Sequence, residues 1–126
     1  MRSRALALAA LVLIALASPA SASDSNKWRI QVSGGAESDG TIVFELVPKG
    51  GTAIQVTATL RKGRSENGVA RDIANAFEAK SVKQLVDSET DDGEDVLVKR
   101  RLGKPEFSLK VISNSVRGVR LNFDKE

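Results

Sequence analysis

The stretch Ile54-Gln55-Val56-Thr57-Ala58-Thr59-Leu60 is followed, after Arg61-Lys62-Gly63-Arg64, by Ser65-Glu66-Asn67-Gly68-Val69-Ala70-Arg71-Asp72-Ile73-Ala74-Asn75-Ala76-Phe77, and the change between the two decides the fold class. In the first part apolar and polar residues alternate, the period of a strand with one buried face. In the second, Val69, Ile73, Ala76 and Phe77 recur at helical spacing. Ser65 offers an N-cap hydroxyl, and Glu66 places a carboxylate at the positive end of the helix dipole. Ala70, Ala74 and Ala76 let this helix approach a sheet closely. A chain with one such change of period predicts an α+β domain rather than an alternating α/β one.

Upstream, Trp28, Ile30 and Val32 alternate with Lys27, Arg29, Gln31 and Ser33, and Ile42, Phe44 and Leu46 share one face of the run Thr41 to Val47. Gly34-Gly35, Ser38-Asp39-Gly40 and Pro48-Lys49-Gly50-Gly51 are turn signals. The expectation is an antiparallel meander of three strands. Downstream, Val82, Leu85 and Val86 fit either an extension of the helix or a short strand. Asp87 to Asp95 holds six carboxylates in nine residues and reads as a solvated acidic turn. Val96-Leu97-Val98 then opens a strand that runs into Lys99-Arg100-Arg101, and Gly103-Lys104-Pro105 turns the chain. Phe107, Leu109 and Val111 alternate in the next strand, and Val119, Leu121 and Phe123 in the last. The predicted order is β-β-β-α-β-β-β. The expected fold is an antiparallel sheet with one helix packed on one face, or a small, partly closed sheet plugged by the helix.

The 126 residues carry 19 Lys+Arg and 16 Asp+Glu, a formal charge of +3. Met1-Arg2-Ser3-Arg4, the apolar run Ala5 to Ala17 and the closing Ala20-Ser21-Ala22 have the three-part pattern of a cleavable secretory signal. Residues 1–22 are therefore read as a signal peptide and 23–126 as a single α+β domain. Removing the signal leaves 104 residues and a charge of +1, since Arg2 and Arg4 leave with it. Val, Ile, Leu and Phe make up more than a quarter of the remainder, enough for a core. The expected location is the periplasm or the cell exterior, with no membrane span in the mature chain. Without Cys it is not a lipoprotein, and no disulfide supports the fold.

His is absent as well. That excludes Ser-His-Asp and Cys-His catalysis, and with it the usual zinc, copper, haem and iron–sulfur sites. Gly63 to Gly68 has the glycine spacing of a phosphate loop, but Val69 and Ala70 stand where Lys and Ser/Thr belong. It reads as a turn into a helix cap. Asp87, Glu89, Asp91 and Asp92 are weak candidate Ca²⁺ ligands, because hard cations prefer clustered carboxylate oxygens. The EF-hand register fails: starting at Asp87 puts Gly93 one place late, and starting at Ser88 puts Lys99 at the bidentate position. Arg61, Lys62 and Arg64 with Lys99, Arg100, Arg101 and Lys104 form a candidate interaction surface for an anionic glycan or another envelope protein. Nucleic acid is not expected, since no aromatic residues are interleaved for base stacking.

These observations predict an exported, non-enzymatic binding module without a cofactor. Two readings compete with it: a carboxylate-dependent hydrolase of glycan or cell-wall polymer, which needs a pocket with two convergent acids, and a weakly Ca²⁺-binding structural domain.

Overall fold

A computed structural model describes residues 23–126. The leader read as a signal peptide lies outside the described residues. The elements run β1 (Lys27–Ser33), β2 (Gly40–Pro48), β3 (Ile54–Leu60), α1 (Glu66–Ala76), α2 (Lys80–Lys83), β4 (Val86–Asp91), β5 (Asp95–Arg100), β6 (Phe107–Asn114) and β7 (Arg120–Lys125). The domain is α+β with antiparallel pairing throughout. Helix α1 starts where the sequence places it, with the Ser65 hydroxyl accepting from the Gly68 N–H at 3.1 Å. The undecided stretch Val82 to Val86 divides: Val82 lies in the single turn of α2 and Val86 opens β4.

The strands form two sheets rather than one, ordered β4-β5-β1-β7 and β3-β2-β6. Two expectations change here. The first three strands are not a meander, because β1 pairs with β5 and β7 and leaves the β2–β3 hairpin to the other sheet. Alternation reports which face of a strand is buried, not which strand lies beside it. Secondly, the acidic stretch from Asp87 is mostly not a loop. Its first half is β4, and the turn is confined to Asp92-Gly93-Glu94.

One core serves both sheets. Ile30 and Val32 of β1, Phe44 and Leu46 of β2, Val56 and Leu60 of β3, and Val96 and Val98 of β5 join Val69, Ile73 and Phe77 in a single cluster. Phe44 lies at its centre, its ring 5.2 Å from Phe77 and 6.3 Å from Phe123 in tilted and edge geometry. Burying each such ring contributes about 2–3 kcal/mol. Helix α1 packs against β3 of one sheet and β1, β4 and β5 of the other, so it fills the gap on that side. On the far side, Ser25 pairs with Phe107 of β6 through two backbone hydrogen bonds of 2.9 and 3.0 Å. Trp28 Nε1 donates to the Phe107 carbonyl at 2.9 Å. The result is the partly closed, helix-plugged arrangement.

At one end the link between β1 and β2 crosses two other turns. Gly34 has φ +88°, and a Cβ on it would lie 2.1 Å from the Gly118 carbonyl oxygen. The Gly34 N–H donates to Glu66 Oε2 at 2.7 Å, Ala36 N–H to the Arg64 carbonyl at 2.9 Å, and Glu37 N–H to the Arg117 carbonyl at 2.8 Å. Only a glycine at 34 permits this crossing.

Candidate functional site

Strand β5 organises the charged residues. It begins at Asp95, beside the helix-α1 end of the molecule, where a Cβ on Gly93 would touch the Asn67 side chain at 3.1 Å. It finishes at Arg100, whose N–H donates to the Asn26 carbonyl at 2.9 Å. Six residues at ~3.3 Å each give a span of roughly 17 Å between those ends. The two basic groups singled out from the sequence therefore fall apart. Arg61, Lys62 and Arg64 sit at the α1 N-terminal end. Lys99, Arg100, Arg101 and Lys104 sit at the opposite end with α2, where Arg101 N–H donates to the Leu85 carbonyl at 2.8 Å and the Arg101 guanidinium to the Lys83 carbonyl. They are two surfaces, not one.

The first group is largely structural. Arg64 forks onto Asp72, with Nε and Nη2 each 2.8 Å from a carboxylate oxygen, and Nη2 also reaches the Gly68 carbonyl at 3.0 Å. The hydrogen bonds that Asp72 accepts, and its negative charge, raise the Arg64 pKa above the ordinary arginine value. The Lys62 N–H is held by Asp39 Oδ1 at 2.8 Å. Arg61 and Lys62 remain exposed.

The acidic residues are mostly engaged as well. On the outward face of β4, Asp87, Glu89 and Asp91 take alternate positions, opposite Lys99, Leu97 and Asp95 of β5. Their Cα atoms are spaced ~6.6 Å apart along the strand. Among the described residues no group of three or more acidic side chains is placed to hold a metal. Asp91 and Asp95 instead meet Arg29 Nη1 at 3.1 and 2.7 Å, and Glu126 meets Arg29 Nε at 3.2 Å. The hydrogen bonds Arg29 donates to Glu126, then Asp95, then Asp91 push its pKa well above the ordinary value. This hub joins β1, β4, β5 and the C-terminal end. Sequence reading missed it, although Arg29 on the polar face of a central strand was a visible signal.

The second basic group is different. Arg101-Leu102-Gly103-Lys104 is a tight turn closed by Lys104 N–H to the Arg101 carbonyl at 3.0 Å, with Gly103 at φ +81°. Arg100 Nη1 donates to the Lys104 carbonyl at 3.1 Å, which stiffens the loop. Asp87 pairs with Arg101 at 2.8 Å. Among the described residues Lys80, Lys83, Arg100 and Lys104 form no ion pair. At the tip stands Leu102, 101% exposed.

The concave features are modest. A cleft of about 250 Å³ lies where Trp28 and Leu109 approach Glu45 and Lys110, which pair at 3.6 Å. Trp28 itself is 8% exposed, so it belongs to the core. An open groove between α1 and β4 holds Glu78 and Glu89, with Glu78 Oε2 lying 3.2 Å from the Ser88 hydroxyl oxygen. No helix among the described residues is long and apolar enough to cross a membrane. Neither a protein-family model nor a curated protein matches the chain.

Proposed function

We propose that the chain is an exported, non-enzymatic binding module of the periplasm or cell exterior that engages an anionic partner through its β5–β6 end. The observation that carries this reading is the set of cations around the Arg101–Lys104 turn. Five of them, Lys80, Lys83, Arg100, Arg101 and Lys104, are flanked by two carboxylates, Asp87 and Glu106, and only Arg101 has an ion-pair partner among the described residues. Uncompensated charge on a rigid loop attracts an anionic surface over a Debye length of about 8 Å in physiological salt. The non-enzymatic reading is supported by the fixed employment of six of the carboxylates. Asp72, Asp87, Asp91, Asp95 and Glu126 bind arginines, and Glu66 binds a backbone N–H. Export rests on the leader sequence.

The test is retention of residues 23–126 on immobilised heparin as a generic polyanion. Arg100→Gln with Lys104→Gln is expected to elute at clearly lower salt than the parent chain. Arg61→Gln with Lys62→Gln is expected to elute close to it. Equal effects from the two pairs would refute the choice of end, and no retention above a neutral resin would refute the anionic partner.

A further inference from the structure

We infer that the β5–β6 end docks on an anionic lipid surface, with Leu102 as an inserting tip; this rests on the basic-end reading above and narrows its partner. Leu102 is the reason for choosing a bilayer over a soluble polyanion. A leucine exposed over its whole side chain gains nothing from a polysaccharide, which offers no apolar phase, whereas burial in an acyl boundary removes its surface from water. Its position is also that of a tip. It occupies the second place of a four-residue turn, and a Cβ on the neighbouring Gly103 would meet nothing within 4 Å. No other part of the described chain packs over that residue.

The flanking chemistry agrees. Arg100 and Lys104 bracket the leucine directly, Arg101 is anchored on Asp87 and the Lys83 carbonyl, and α2 brings Lys80 and Lys83 alongside. Long cationic side chains around an apolar tip reach headgroup phosphates while the tip enters below them. The loop does not have to order on contact, because the turn hydrogen bond, the Arg100–Lys104 bond and the Arg101 contacts already fix it. Ile112, the other exposed large apolar residue among the described residues, stands at 42% exposure on β6.

The experiment is co-sedimentation of residues 23–126, whose core is complete in itself, with vesicles of pure phosphatidylcholine and of phosphatidylcholine with 30% phosphatidylglycerol. Binding to the anionic vesicles alone is expected. Leu102→Ser should weaken it about tenfold, from the lost burial of one leucine, and Arg100→Gln with Lys104→Gln roughly 30-fold, from two headgroup-level charges. In Leu102→Trp the added indole is expected to shift its emission to the blue on anionic vesicles, against the constant signal of buried Trp28. Anionic-vesicle binding that Leu102→Ser leaves unchanged, with no shift from the tryptophan, would overturn insertion. Retention on heparin without vesicle binding would overturn the lipid partner and keep the basic-end reading. Failure on both would remove both.

Discussion

Replacing Gly34 by alanine gives the strongest test of how the two sheets are held together. Two costs add. The backbone at φ +88° lies in the left-handed region, which charges an L-residue about 1 kcal/mol. The new Cβ would also sit 2.1 Å from the Gly118 carbonyl oxygen, an ångström inside any tolerable contact, and the atom it meets is backbone. One strand connection has to move. The Gly34–Glu66, Ala36–Arg64 and Glu37–Arg117 hydrogen bonds are strained together, at about 1 kcal/mol each if broken. A loss of about 3–4 kcal/mol follows, a large part of the 5–15 kcal/mol typical of a domain, and at 4–8 °C per kcal/mol the melting temperature falls by at least about 12 °C. The matched control is Gly50→Ala. Gly50 has φ +76° but open space around its missing Cβ, so only the conformational cost of about 1 kcal/mol applies. Thermal melts followed by far-UV circular dichroism and urea titrations compare the two. If Gly34→Ala melts within about 3 °C of Gly50→Ala, the crossing of turns is not the constraint argued for it.

Two further outcomes follow from the charged face. Arg29 has its pKa raised by Glu126, Asp95 and Asp91, so its stabilisation is fully present below the ordinary arginine value and is lost only above a still higher one. Arg29→Lys substitutes a group with an unfolded pKa of about 10.4, whose contribution fades as pH rises through its folded value; the melting-temperature gap to the parent should widen between pH 8 and pH 11, and a constant gap would show that this cation does not hold the carboxylates. Because Asp87, Glu89 and Asp91 are spread along a strand, millimolar Ca²⁺ is expected to leave the melting temperature unchanged, and a rise reversed by EDTA would contradict that placement.

The elements were legible where one face of a segment is apolar. Trp28-Ile30-Val32, Ile42-Phe44-Leu46 and Val56-Ala58-Leu60 are strands with those residues inward, and Val69-Ile73-Phe77 is the inner stripe of α1. Strand β4 escaped because, on its α1 side, the positions after Val86 are the half-buried Ser88 and the exposed Thr90. They face α1 rather than an opposing sheet, and Ser88 spends its hydroxyl on the Ala74 carbonyl at 2.7 Å. No apolar alternation was therefore needed, and the carboxylates on the other face read as a loop. The division into two sheets was hidden for a different reason. It depends on pairings such as Arg29 with Leu97 and Phe44 with Val111, which join positions more than 60 residues apart. The candidate surface was half legible: its residue types were visible, but which cations share an end depends on the direction of β5.

That direction also decides how charge acts in a nearly neutral domain. Had Asp87 to Asp95 been a loop folded back on Lys99 to Lys104, the two would have cancelled within a few ångströms. As a hairpin strand, β4 carries Asp91 and the turn carboxylates to the far end of β5, roughly 17 Å from Arg100. That exceeds the Debye length of about 8 Å, so the carboxylates of the turn do not offset the cations around Arg100. Of the carboxylates from Asp87 to Asp95 only Asp87 remains at the basic end, and its partner is Arg101. Near an anionic surface the consequence is orientation. With the β5–β6 end facing the surface, its cations feel the surface potential while Asp92 and Glu94 lie beyond its reach. In the proposed docking, a domain whose residues 23–126 carry a formal charge of +1 meets an anionic surface with the Leu102 turn leading, because the cations there are not offset by the carboxylates of the distant turn.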